Sequence, residues 1–332
     1  MSTLIGFPFR VASRLRHAAY AAGLLQAERL AGPVISVGNL ASGGRGKTPV
    51  VARIASWLRE DGHAVAVLSR GYRGAFRGDL LIVSDGERTL ATAAEAGDEP
   101  VMLAQELPGV VVAVGKRRAQ VGRAVSERFG PRAFVLDDGF QHLALARDLD
   151  IVCVAPQDVT GTPSDGWLRE GKRALDRADL ILLLADDGPE EGQQALRQDL
   201  GASRTFLLRR RSQGFFGRDR REKGAPRRPY LLAGIARPER FLADVRALSG
   251  ETAGSAFFRD HHAFREAELL EVARKAGAAG ADALVTTAKD EVRLPAAFAP
   301  PGLPVLVLRV GVEIENDGAL RERLRQVARR AA

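Results

Sequence analysis

The chain of 332 residues carries 49 Lys+Arg against 41 Asp+Glu, a formal net charge of +8, with 45% hydrophobic residues, 27% charged residues and one cysteine. That balance excludes intrinsic disorder and a polytopic membrane protein, and the lone Cys153 excludes an intramolecular disulfide or a Cys-rich zinc site and favours a reducing compartment. The length predicts two domains, each with its own core.

The first 31 residues hold four Arg and one Glu, a net +3. No stretch of the chain approaches the ~20 apolar residues that cross a bilayer. Arg10, Arg14 and Arg16 are not followed by a long apolar core and a small-residue cleavage site, so the segment does not read as a secretory signal. A cytosolic protein is expected, free or held at a membrane surface from the cytosolic side. On a helix, Val11, Leu15, Ala18 and Ala22 fall on one side and Arg10, Arg14 and His17 on another, preceded by Ile5, Phe7 and Phe9. This pattern suits an interfacial helix with guanidinium groups near anionic headgroups, or an amphipathic helix docked on the protein's own core.

Further along, short apolar runs alternate with helical patterns. Strands are predicted at residues 34–37, 64–68, 110–114, 134–136, 151–154, 180–184, 230–233, 283–286 and 305–310, and helices at 50–59, 119–129, 239–248 and 266–276. Near-continuous apolar strands alternating with helices predict parallel sheets covered on both faces, an α/β class twice over. Residues 205–230 hold nine basic and two acidic side chains, a net +7, punctuated by Gly214, Gly217, Gly224, Pro226 and Pro229. This stretch is the best domain boundary. It divides the chain into residues 1–208, a basic linker or ribbon at 209–229, and residues 230–332. A solvated connector and a contact with an anionic surface are both open readings of its charge.

The strongest local motif is Ala41-Ser42-Gly43-Gly44-Arg45-Gly46-Lys47-Thr48, between the first predicted strand and a helix opening near Pro49. Glycines let the backbone N–H groups of Ser42, Gly43, Gly44, Arg45 and Gly46 cradle a phosphate, reinforced by the helix N-terminus. Lys47 would reach the β- and γ-phosphates of ATP and Thr48 would ligate Mg²⁺. Ala41 stands where the P-loop pattern has its first glycine, which leaves the cradle intact. A P-loop also needs a carboxylate at a neighbouring strand end, and Phe134-Val135-Leu136-Asp137-Asp138 supplies two. Asp137 and Asp138 are therefore the expected metal ligands.

With these motifs stand Val37–Pro49 (VGNLASGGRGKTP), Leu68–Gly74 (LSRGYRG), Gly97–Pro100 (GDEP), Leu136–His142 (LDDGFQH), Leu168–Glu170 (LRE), Gly234–Phe241 (GIARPERF), Asp260–His262 (DHH) and Thr286–Leu294 (TTAKDEVRL). In these residues, and in their order, the chain resembles the tetraacyldisaccharide 4′-kinases, the lipid A 4′-kinases of Gram-negative bacteria. Arg45 stands where that family usually has Thr, and Ala288 where it often has Glu. The resemblance implies transfer of the ATP γ-phosphate to the 4′-hydroxyl of a tetraacylated glucosamine disaccharide 1-phosphate, with peripheral attachment at the cytoplasmic face of the inner membrane through the N-terminal helix. It also implies a P-loop NTPase-like parallel-sheet domain and a second, smaller α/β/α domain, joined by a short β-ribbon around an active-site cleft.

By the same resemblance, Asp98 is the base that takes the acceptor's proton, and His261 orients it or shares the proton. The plain reading of Asp98 and Glu99 is a helix N-cap with a favourable first-turn acid before Pro100. Arg70, Tyr72, Arg169 and Glu170 are candidates for the lipid's 1-phosphate, its sugar hydroxyls or the transferring phosphate, though each could be a surface ion pair. His142 could contact substrate or nucleotide, and His262 is the alternative to His261. A membrane-targeted P-loop ATPase switch is the competing reading, disfavoured because Ser42 stands where such proteins carry a lysine before the Gly pair. A nucleic-acid-dependent NTPase using the basic stretch ranks last, with only Phe215, Phe216 and Tyr230 near it for stacking. No nucleic-acid partner is expected.

Overall fold

The computed structural model describes residues 16–20, 22–41, 46–160, 168–185 and 190–330. The expected N-terminal helix up to Leu15, and Ser42, Gly43, Gly44 and Arg45 of the P-loop, lie outside the described residues; residues 16–20 are helical.

The apolar runs condense into a mixed, mostly parallel sheet of thirteen strands. In chain order these are β1 (Val34–Asn39), β2 (Val65–Ser69), β3 (Leu81–Ser84), β4 (Val111–Val114), β5 (Ala133–Asp137), β6 (Leu149–Val154), β7 (Leu180–Leu184), β8 (Thr205–Gly217), β9 (Glu222–Lys223), β10 (Pro229–Ala233), β11 (Gly254–Phe257), β12 (Ala283–Thr287) and β13 (Val305–Ile314). Their order across the sheet is β11-β10-β12-β13-β8-β7-β6-β1-β5-β2-β4-β3, with β9 on β8. Strands β1, β2, β4, β5 and β6 are buried along their whole length, as continuous Val/Ile/Leu runs require when helices cover both faces. The α/β expectation is met.

The parallel order breaks between β8 and β13, which run antiparallel from Leu208 opposite Ile314 to Gly217 opposite Leu306. On one side β8 pairs in parallel with β7, and on the other β13 pairs in parallel with β12. Arg209–Gly217, expected within the basic linker, is therefore the far part of β8. Its charges are met across the ribbon and beside it: Arg211 lies 2.5 Å from Glu313, and Arg210 pairs with Asp244. A run of arginines conceals the alternation by which a strand is recognised.

The helix Lys47–Glu60 buries Val50, Val51, Ile54, Ala55, Trp57 and Leu58. It shares one core with the last turns of the chain, because Leu320, Leu324 and Val327 of the helix Asp317–Arg330 join Ile54 and Leu58 there. Arg321 and Arg325 clamp this return by pairing with Asp61 at 2.6 and 2.9 Å. The strands β10 and β12 bury separate cores on their two faces, around Phe264 and Leu269 on one and Phe241 and Val245 on the other. Leu324 is 1% exposed, and Leu324→Ala should lower unfolding stability by about 2–5 kcal/mol. Chemical denaturation measures this, and an unchanged midpoint would separate the C-terminal helix from the core beneath Lys47.

Candidate active site

The strands β1, β5 and β2 are parallel neighbours, so Asn39, Asp137 and Ser69 emerge at one carboxyl edge. Gly46 turns the chain into the helix there with φ 72°, a left-handed conformation that costs glycine nothing. Lys47 Nζ then reaches Asp138 Oδ1 at 2.5 Å and Asn39 Oδ1 at 3.1 Å. Arg169 Nη1 donates to the other Asp138 oxygen at 2.6 Å. Asp138 itself is left-handed, φ 56°, a conformation that short acidic side chains tolerate. Burial would raise its pKa, but Lys47 and Arg169 hold the carboxyl below the usual carboxylate range. Thr48 follows in the first turn, half-buried.

Asp137 behaves in the opposite way. Burial, with the charge of Glu99 added, pushes its carboxyl up to about 7. Ser69 Oγ donates to Asp137 Oδ2 at 3.0 Å, while Oδ1 is buried with no hydrogen-bond partner among the described residues. Among the described residues no group of three or more His, Cys, Asp or Glu side chains could hold a metal ion by itself. Mg²⁺ asks for less, one or two carboxylates completed by substrate phosphates and water. The orphaned Asp137 oxygen, next in the chain to Asp138, fits that requirement.

A second cluster faces this edge. Gly97, φ 93°, starts the helix Asp98–Glu106, and a Cβ there would meet the Tyr72 carbonyl at 2.5 Å, so only glycine fits. Buried Asp98 at the first position lies 2.8 Å from His261 Nδ1, through Oδ2. His261 is held left-handed, φ 60°, after β11. Lys289 Nζ sits 3.0 Å from His261 Nε2. Asp260 Oδ2 lies 3.5 Å from the same nitrogen, so Nε2 stands between an ammonium and a carboxylate while Nδ1 faces Asp98. Arg293 Nε approaches the same Asp98 oxygen at 3.4 Å, while its other nitrogens donate to the carbonyls of His262 at 2.8 Å and Gly234 at 3.0 Å. His262 turns away, stacked on Phe258 at 4.6 Å and bonded to Glu268 at 2.9 Å.

Residues 3–329 match the family described as LpxK, Tetraacyldisaccharide-1-P 4′-kinase. The chain belongs to this family. A tetraacyldisaccharide 4′-kinase of Anaeromyxobacter dehalogenans (strain 2CP-C) is 46% identical over 323 residues, covering 92% of this chain and 84% of that protein. One of Geobacter metallireducens is 42% identical over 296 residues, 88% of this chain and 87% of that protein. The crystal structure of LpxK from Aquifex aeolicus in complex with ATP superposes with a TM-score of 0.79 at 28% identity, covering 98% of this chain and 97% of that one.

In this family member the expected acceptor-side residues separate into four placements. Arg169 stands at the carboxyl edge beside Lys47, through Asp138. Arg70 and His142 gather around Arg118, a residue the sequence reading missed. Burial, with the charge of Arg70 added, pushes Arg118 down to about 10, and its Nε has no hydrogen-bond partner among the described residues. Its Nη1 lies 3.4 Å from His142 Nδ1, and burial, then Arg118, pushes His142 down to about 3, so this ring is neutral. Tyr72 is exposed, with the Arg73 guanidinium over its ring at 5.5 Å. Glu170 is buried and engaged by His17 at 3.1 Å and Arg177 at 2.9 Å, which ties the helical turn at residues 16–20 to the core.

Glu99, Lys289 and Arg293 were also missed as site residues. The last two lie inside the family-like run TTAKDEVRL, which marks them but not their roles. The raised Asp137 carboxyl has a consequence for stability. The folded protein binds this proton up to about pH 7, whereas the unfolded chain releases it near the ordinary 3.8. The site's contribution is therefore fullest below the ordinary value and falls as pH rises through about 7. In metal-free buffer, Asp137→Asn should gain thermal stability relative to the parent protein between pH 5 and pH 8. Parallel melting curves for the two proteins would contradict this.

Proposed function

We propose that the protein transfers the γ-phosphoryl group of ATP to the 4′-hydroxyl of tetraacyldisaccharide 1-phosphate, a lipid A precursor. Family membership over residues 3–329 supports the reaction, and the Aquifex aeolicus relative is in complex with ATP. The observation that carries the mechanism is the Asp98–His261 hydrogen bond of 2.8 Å, on a helix whose next residue, Glu99, acts on Asp137.

Phosphoryl transfer asks a protein for positioning and charge neutralisation. Phosphate oxygens compete with Asp138 for Lys47 and Arg169, which become the cations of the β,γ-phosphate site. Thr48, Asp137 and Asp138 are the residues that would hold Mg²⁺, which would supply further neutralisation of the triphosphate. Asp98 accepts the proton of the attacking 4′-hydroxyl. His261 and Arg293 both engage Asp98 Oδ2, which leaves Oδ1 for that proton among the described contacts. Arg118, with Arg70 and neutral His142 beside it, forms a cationic recess suited to a phosphate of the acceptor, and exposed Tyr72 suits its sugar. The chain works as two units about the β8–β13 ribbon, so the base and its imidazole come from opposite sides and their meeting excludes water.

Attachment to the cytoplasmic face of the inner membrane belongs to the same proposal. No helix among the described residues is long and apolar enough to cross a membrane. Leu24 and Leu25 are 80% and 45% exposed just beyond the helical turn at residues 16–20, apolar surface that suits an interfacial contact. The switch alternative has no observation in its favour.

Incubation with γ-labelled ATP, Mg²⁺ and detergent-dispersed tetraacyldisaccharide 1-phosphate should label the lipid, and Lys47→Ala should abolish the label. Asp98→Ala should lower kcat about 10²–10⁴-fold with ATP affinity retained. ATP hydrolysis without lipid labelling would overturn the reaction, and near-normal turnover of Asp98→Ala would overturn the base. Deleting residues 1–25 should weaken binding to anionic vesicles more than it alters ATP affinity; unchanged vesicle binding would remove the membrane contact.

A further inference from the structure

Behind the Asp98–His261 pair lies a second interlobe cluster that the reaction does not use. The helix Asp98–Glu106 has Asp98 at its first position and Glu106 at its last. The short helix Ala288–Glu291 packs on it, with Lys289 against His261, Asp290 against Arg293, and Glu291 at its end. Between the two far ends stands Arg309 of β13, ion-paired to Glu106 at 3.5 Å and to Glu291 at 3.7 Å, its Nη2 making no hydrogen bond among the described residues. Its side chain is 12% exposed and lies over the Phe216 ring at 5.4 Å.

Three further features show that this contact is built in. The β8–β13 register shifts between Arg309 and Val310, leaving Gln213 unpaired, and such bulges re-aim a side chain. Burial pushes both Glu106 and Glu291 up, and Arg309 is the largest opposing influence on each. Arg220, from the turn after β8, bonds to the carbonyl and side chain of Gln105, the residue before Glu106. The same ribbon thus holds the back of the Asp98 helix from two directions.

We propose that Arg309 is a positioning residue for phosphoryl transfer: by gripping Glu106 and Glu291 together, it sets the approach of Asp98 to His261. The inference rests on the assignment of Asp98 and His261 to the acceptor's proton. Both helices are short and stiff, so a shift at the gripped end is carried to the end bearing the chemistry. A misplacement of about 1 Å can cost ~10²-fold in rate.

The test is a double-mutant cycle in the lipid-labelling assay. Arg309→Met should lower kcat about 10–100-fold with KM for ATP within about twofold. Arg309→Lys, which keeps the cation, should recover most of the loss. In a His261→Ala background, Arg309→Met should cost less than about twofold more, because the alignment it secures is already gone. A loss that multiplies fully in that background, or no loss in the parent protein, would overturn the positioning role. His261→Ala with parental turnover would instead overturn the assignment of the pair, and the inference with it. Should Arg309→Met fail to fold, Glu106→Gln removes one side of the grip and carries the same cycle with the same expected outcomes.

Discussion

Two parallel strand arrays share one sheet in this protein through the antiparallel pairing of β8 with β13. Arg209–Gly214 and Arg309–Glu313 have only each other as strand partners among the described residues, so they bridge as a two-stranded ribbon. A bare ribbon of this kind is marginal in water. It is supported by Arg211–Glu313 across the strands, by Arg210–Asp244 beside them, and by the C-terminal helix that follows β13 and packs beneath Lys47. The chain leaves the first array through β8, builds the second, and returns through β13. Every contact across the cleft, including Asp98 with His261, depends on that one antiparallel pairing.

The buried charges at this edge differ in how fully the described residues meet them. Asp138 has two cations and stays ionised, while Asp137 has a hydroxyl, an orphaned oxygen and a raised affinity for its proton. Such a pair of adjacent acids with divergent titration is how a protein builds a place for a cation. Arg118 is the mirror image, a buried guanidinium with an unmet nitrogen among the described residues and a second arginine nearby. Strained backbone accompanies both clusters. Asp138 and His261 are left-handed residues with side chains, held there by the contacts their positions make possible.

The regular elements were legible because their physics is local. Nine apolar runs became strands, and the four helical patterns became helices, with boundaries displaced by a few residues. What escaped were elements whose pattern is masked by another demand. β8 reads as a basic linker or ribbon and not as a strand of the main sheet, because its arginines answer carboxylates more than thirty residues away. A helix start was legible at Asp98, but the cap is Gly97 and Asp98 is the first helical residue, its carboxyl turned to His261 rather than to the helix's own N–H groups. The helix Asp317–Arg330 carries its apolar residues among many charges, and its value lies in a core formed far earlier in the chain.

The P-loop lysine and threonine, the two acids ending β5, and the motif order that marks the family were determined by sequence alone. Each depends on residue type within a few positions of one backbone turn. Tertiary structure alone decided which histidine meets Asp98, because His261 and His262 are chemically identical and adjacent. The left-handed turn at His261 aims one ring across the cleft, while Phe258 and Glu268 retain the other. It also decided that Arg118 joins the site, that Glu170 is engaged by His17 and Arg177, and that Arg309 stands between two glutamates. Those are meetings between residues distant in the chain, and no local pattern records the pairing of strands that brings them together.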